Sequence, residues 1–288
     1  MTDTSTNALF IIASASNAPY GRNTLGHSPS GTAAASQPAT ADGKTDVNSH
    51  QYSQSADTSD TPGLPKNIAG ASMPSETANG FADLMATVAS INQHAPGCRI
   101  AVVQYSAYPL TQSQHETLIQ HVDYLMDYSG NEQIQAFDRK LASSEAIAAF
   151  SELTSLMWFL QLGQHHKLYE PFKRVFKLSP GTQLTAAIKD SAHYAQNAQG
   201  RYVFPNAVLA HTASGTMALQ FSNTFYSMDP MLIPSFTGTL EVMLRTMQDV
   251  HAQGQSVSIE CLLYKLIDAG KIFYDLKPAI SRAPISQA

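Results

Sequence analysis

Charge is scarce in this chain: only 14% of its 288 residues are charged, with 17 Lys and Arg against 22 Asp and Glu and a formal net charge of -5. The cationic residues are scattered, so the sequence has no electrostatic footprint for nucleic acid or anionic lipid. Cysteine is scarcer still. Cys98 and Cys261 lie far apart, each in an apolar setting, which predicts buried reduced thiols rather than a disulfide or a metal site and suits a cytoplasmic location. A signal sequence is not expected either, because Met1 to Ala15 has no basic segment and its apolar stretch, Ala8 to Ala13, is too short for an export signal or a membrane span. His165 and His166 with Glu170 fall short of a zinc ligand set, and there is no internal repeat.

Hydrophobic residues, by contrast, make up 43% of the chain, enough for a sizeable core. Leu9 to Ala13 is a continuous apolar run that predicts a strand buried on both faces of a parallel sheet. From Asn17 to Thr77 the composition shifts to Ser, Thr, Ala, Gly, Asn, Asp and Pro, too poor in large apolar side chains to offset the entropy of ordering, so a long mobile insertion is expected there. Its Gly26 to Gly31 stretch lacks the glycine spacing of a nucleophile elbow.

Beyond the insertion, Phe81, Leu84, Met85, Val88 and Ile91 form a helical stripe. Strand Arg99 to Tyr105, a helix over about Gln112 to His121 and a weaker strand over Val122 to Tyr128 follow. A long helix is predicted from about Ser143 to Leu162, stopped by Gly163. Strands are then expected at Val175 to Leu178, Tyr202 to Phe204, Met217 to Tyr226 and Ile272 to Tyr274, with two amphipathic helices led by Phe236 and Ile259 between the last two. Short strands alternating with amphipathic helices predict a single α/β domain: one mostly parallel sheet with helices on both faces, in residues 8–15 and 78–280.

The most informative stretch is Arg174 to Leu184, RVFKLSPGTQL, an apolar strand entering a turn that carries Lys177, Ser179 and Gly181. A cation, a hydroxyl and a backbone N–H suit an anionic or polyhydroxylated ligand; the alternative is a solvated strand end closed by a Pro-Gly turn. Asp229 precedes Pro230, which suits a turn or cap as well as an acid or base. Glu260 begins a helix after Ser258, where an acid complements the helix dipole and a proton-removing base is equally well placed. Asp127, in Asp127 to Gly130, fits either a ligand contact or a turn, and no Ser, His and Asp arrangement stands out for hydrolysis.

The order of strand Leu9 to Ala13, strand Arg99 to Tyr105, helix Ser143 to Leu162, Arg174 to Ser179, Phe225 to Asp229 and Ile259 to Lys265 resembles nucleotide-diphospho-sugar glycosyltransferases of the GT-A type, particularly phage and aquatic-bacterial members. That resemblance implies a Rossmann-related fold and a nucleotide-sugar co-substrate. It implies that Asn17, Tyr20, Asp127, Lys177 and Ser179 face the donor, and that Glu260 or Asp229 serves as base toward an acceptor. Where the family's metal-binding Asp-x-Asp is expected, this chain has Lys177-Leu178-Ser179, so no metal ligand is assigned and a divalent ion is not implied. The same departure keeps open a non-catalytic binding or structural protein on this fold.

Overall fold

The computed structural model describes residues 7–16, 75–106, 109–138, 144–211, 215–275 and 279–282. The predicted insertion lies outside the described residues except for its last three, Ser75 to Thr77, which already belong to the first helix.

A seven-stranded sheet organises the fold. Its strands are β1 (Ala8–Ser16), β2 (Arg99–Ser106), β3 (Tyr124–Asp127), β4 (Arg174–Leu178), β6 (Tyr202–Phe204), β9 (Phe225–Met228) and β10 (Ile272–Tyr274), in the order β10-β6-β9-β4-β1-β2-β3. All run parallel except β9, which is antiparallel to both β4 and β6. The predicted mostly parallel sheet is therefore the architecture observed. Two small ribbons accompany it: β5 (Thr182–Leu184) pairs with β11 (Ile280–Arg282), and β7 (Ala207–His211) with β8 (Met217–Phe221).

Strand periodicity assigns each face. In β1, Leu9, Ile11 and Ala13 enter one apolar cluster while Ala8, Phe10 and Ile12 enter the other. The first cluster is closed by helices α4 (Ser144–His165), α5 (Ile233–Ala252) and α6 (Ile259–Leu266). On the opposite face, α1 (Ser75–His94) contributes Leu84, Val88 and Ile91, and α2 (Gln112–Ile119) contributes Leu118. Phe10 and Phe176 stack there with ring centroids 4.5 Å apart. A short helix α3 (Glu132–Asp138), not foreseen from sequence, follows β3. The Ala146–His165 stretch of α4 is long and apolar enough to cross a membrane, but half of it is buried within this protein, with Leu153, Leu156 and Leu160 in the core.

Two predicted boundaries need correction. Gly163 does not stop α4, which continues to His165. The stop comes at Lys167, whose left-handed φ of 56° lets the Leu168 N–H donate to the Gly163 carbonyl at 2.8 Å. Glycine is required at 163 because Tyr169 folds back over it to donate to the Phe159 carbonyl at 3.1 Å; a Cβ at Gly163 would lie 2.3 Å from the Tyr169 hydroxyl. The predicted strand Met217 to Tyr226 is likewise two strands, β8 and β9. Between them the Ser222 hydroxyl accepts from the Thr224 N–H at 3.2 Å, and this local turn interrupts the ladder.

Candidate functional site

The carboxyl end of β4 brings Lys177 and Ser179 together with Glu152 of α4, and Glu260 of α6 lies in electrostatic reach of them. Lys177 shares the β4 face of Val175, toward α4, and is only 1% exposed. That corrects the solvated strand end considered from sequence. Its Nζ lies 2.6 Å from Glu152 Oε1 on α4, donates to Ser179 Oγ at 2.9 Å and to the Asn223 carbonyl, and sits 6.0 Å from the Tyr226 ring centroid. Asn223 Nδ2 donates to the same Glu152 oxygen at 3.1 Å. The ammonium thus has a charged partner and two neutral acceptors, the arrangement a buried cation needs. Ser179, half-buried, takes the Thr224 carbonyl with its own N–H at 2.9 Å and presents its hydroxyl in front of the lysine.

Glu260 lies in the first turn of α6 but is not its cap: the Ser258 hydroxyl accepts from the Cys261 N–H at 3.2 Å. Burial pushes the Glu260 carboxyl above the usual range; its own backbone N–H opposes this, Glu152 adds to it, and Lys177 and Ser258 pull it back. Glu260 therefore shares an electrostatic neighbourhood with the Lys177–Glu152 pair.

Asp127 ends β3 in register with Gln104 of β2, three strand spacings, about 14 Å, across the sheet from β4. Its Oδ1 accepts from the Ser129 N–H at 2.9 Å and from the Ser129 hydroxyl, a local turn, and the Ser129 hydroxyl in turn accepts from the Ser106 N–H at 3.1 Å. Asn17 and Tyr20 lie outside the described residues.

Asp229 is not brought to this cluster. It follows Met228, which pairs with Val175 near the amino end of β4, whereas Ser179 and Thr224 meet at the carboxyl end. The five residue steps from Thr224 to Asp229 span about 17 Å of strand. There Asp229 caps the helical turn Pro230–Leu232, accepting from the Met231 N–H at 3.0 Å and from the Gly200 N–H at 2.8 Å.

A Ser, His and Asp arrangement that sequence inspection missed also exists, on the Phe176 face of the sheet. The Ser227 hydroxyl lies 2.6 Å from His193 Nδ1, and His193 Nε2 lies 3.5 Å from Asp275 Oδ2. Their exposures of 0%, 1% and 3% keep substrate from reaching the serine. Burial, reinforced by the Arg174 charge, lowers the His193 pKa to about 3, so the imidazole is neutral and its 3.5 Å approach to Asp275 is not an ion pair. Arg174 Nε donates to Ser227 Oγ at 2.8 Å, which leaves the serine proton for His193 Nδ1. This is a structural network between β4, β9 and the turn at Ala192–Tyr194.

Glu152 and Asn223 were also missed, although one signal was available: a lysine inside the apolar strand Arg174 to Leu178 needs a buried acid, and α4 carries only Glu145 and Glu152. Among the described residues no group of three His, Cys, Asp or Glu side chains could hold a metal ion.

No family model matches the chain, and no curated protein matches it. Solved structures do. The mannosyltransferase Ktr4p of S. cerevisiae is 9% identical over 58% of this chain and 58% of that one, with a TM-score of 0.37. Core-mannan synthase A (CmsA/Ktr4) of Aspergillus fumigatus, in its Mn/GDP form, is 11% identical over 73% of this chain and 77% of that one, with a TM-score of 0.41. The galactosyltransferase LgtC, in complex with donor and acceptor sugar analogs, is 11% identical over 68% of this chain and 69% of that one, also at 0.41. The chain thus spans less than two thirds of the first of these relatives.

Proposed function

We propose that this chain is a glycosyltransferase-like protein that moves a sugar from a nucleotide-sugar donor to an acceptor hydroxyl at the carboxyl ends of its parallel strands. Open α/β sheets hold ligands outside those ends. The observation that carries the reading is the buried Lys177–Glu152 pair beside the Ser179 hydroxyl, with the desolvated carboxylate of Glu260 in electrostatic reach of the pair.

In this reading Ser179 meets the donor phosphates, with Lys177 behind it holding the hydroxyl by its 2.9 Å bond. Asp127, farther along the strand ends, takes the nucleoside, and Asn17 and Tyr20, which follow β1, are assigned to the donor by resemblance alone. Glu260 accepts the acceptor's hydroxyl proton while that oxygen attacks the anomeric carbon. The bond from the anomeric carbon to the phosphate oxygen breaks, and its electron pair leaves with the nucleoside diphosphate. The raised Glu260 pKa makes it a stronger base than an exposed carboxylate. Asp229, at the other end of β9, has no part in this step.

Among the described residues, the strand-end cluster does not fit a divalent cation. Glu152 Oε1 already takes Lys177 Nζ at 2.6 Å and Asn223 Nδ2 at 3.1 Å, so a fixed ammonium sits against the carboxylate a metal would need. Cys261 is buried as expected, whereas Cys98, also expected to be buried, is half-buried; the cytoplasmic location is assigned from the scarcity and separation of the two cysteines in the sequence.

The same pair favours one other reading, a binding protein on this fold without transfer chemistry: a lysine 1% exposed and neutralised by Glu152 offers little charge to a phosphate. A panel of UDP-, GDP- and CMP-sugars, with and without manganese, separates the readings. A bound donor raises the melting temperature by mass action. Stabilisation with turnover supports transfer, stabilisation without turnover supports the binding protein, and no stabilisation by any donor overturns both.

A further inference from the structure

A cavity of about 810 Å³ opens at the amino ends of the strands, away from the Lys177 cluster. Arg174, the first residue of β4, lines it and is only 3% exposed. Its guanidinium donates to Ser227 Oγ at 2.8 Å, to the Ala198 carbonyl at 2.8 Å and to the Ser227 carbonyl at 3.3 Å, all neutral acceptors. A guanidinium has five N–H donors, so two remain. No carboxylate of the described residues comes within 4.0 Å of it.

Buried charges are normally paired, and a buried arginine in a cavity wall without a contact acid is an uncommon arrangement. Asp229 lines the same cavity and acts on Arg174 through space, but its two oxygens are committed to the Gly200 and Met231 N–H groups. The remaining wall sets apolar Tyr169, Phe172, Ile233 and Met231 beside polar side chains that include Gln164 and His193. At the rim Lys167 is paired with Glu170 at 3.5 Å, leaving Lys173 as a further cation.

We propose that this cavity binds an organic monocarboxylate, its apolar body against Tyr169, Phe172 and Ile233 and its carboxylate on the two remaining Arg174 donors. The size falls within the range of small-molecule sites, roughly 300–1,000 Å³, and exceeds what an inorganic ion fills. A fixed carboxylate at Asp229 disfavours a dianion such as a phosphate monoester. The assignment is independent of the transferase reading, because the two sites lie at opposite ends of the sheet.

Calorimetry and ligand-observed NMR on the full chain test it with 4-phenylbutyrate, octanoate and 3-indolepropionate, each against its neutral primary amide. At least one carboxylate should bind saturably and at least tenfold more tightly than its amide. Met231 is 71% exposed, so Met231→Trp should leave the protein folded while narrowing the mouth, weakening binding at least tenfold. Arg174→Gln, if it folds, should abolish the preference for carboxylate over amide. Failure of all three carboxylates to bind, equal affinity for acid and amide, or unchanged binding in Met231→Trp overturns the proposal.

Discussion

Lys177 Nζ lies 2.6 Å from Glu152 Oε1 and joins β4 to α4 inside the protein, with the lysine 1% exposed and the glutamate 17%. Removing one partner strands the other charge in a largely dry site. Glu152→Ala is therefore expected to lower the unfolding free energy by about 3 kcal/mol, read by urea denaturation. The double variant Glu152→Leu with Lys177→Met should recover much of that loss, whereas an equal or greater loss would mean that the pair itself is not the source.

Gly163→Ala tests the closure of α4 by Tyr169. Alanine is the better helix former by about 1 kcal/mol, so propensity alone predicts stabilisation. The 2.3 Å approach of a Cβ to the Tyr169 hydroxyl predicts instead a net loss of about 1–3 kcal/mol by chemical denaturation. Tyr169→Ala should make the same Gly163→Ala change neutral or stabilising.

His193 ties stability to pH. Its pKa is depressed in the folded protein to about 3, below the unfolded value of 6.5, so in that window the unfolded chain binds the extra proton. Its contribution is fully present above pH 6.5 and is lost as pH falls toward 3, with a limiting slope of about 1.4 kcal/mol per pH unit. In His193→Gln the unfolding free energy should fall less steeply between pH 6.5 and 5 than in the wild type; identical slopes would rule out a neutral buried His193.

Asp229→Ala removes the cap of the Pro230–Leu232 turn. A loss of about 1 kcal/mol is expected, with donor binding unchanged because the residue lies at the far end of β9. Loss of nucleotide-sugar binding in a folded Asp229→Ala protein would place the donor at the amino ends instead.

Much of this fold could be read from residue pattern. Leu9 to Ala13 and Arg99 to Tyr105 have unbroken apolar runs because both faces of their sheet are covered, and α1 and α5 carry clear stripes. Tertiary contacts hid the rest. Gly163 looks like a helix stop, yet its lack of a side chain serves Tyr169, six residues later. Of the candidate site, Lys177, Ser179 and Glu260 could be picked out as strand-end and helix-start residues, but the lysine's partner Glu152 sits 25 positions before it, where only the fold brings it near. Asp229 and Glu260 looked equivalent in sequence, but β9 runs against its neighbours, and that reversal sends Asp229 to the amino ends of the parallel strands.

Donor binding and sugar transfer, measured together in the wild type and in Glu260→Gln, separate the role of Glu260 as base from a role in holding the donor. Glutamine keeps the shape of the side chain and removes a desolvated charge, so the melting temperature should hold or rise. The nucleotide-sugar that stabilises the wild type should bind the variant with unchanged affinity, while transfer falls by about 100-fold or more. Transfer at the wild-type rate in a donor-binding Glu260→Gln protein would mean that Glu260 is not the base.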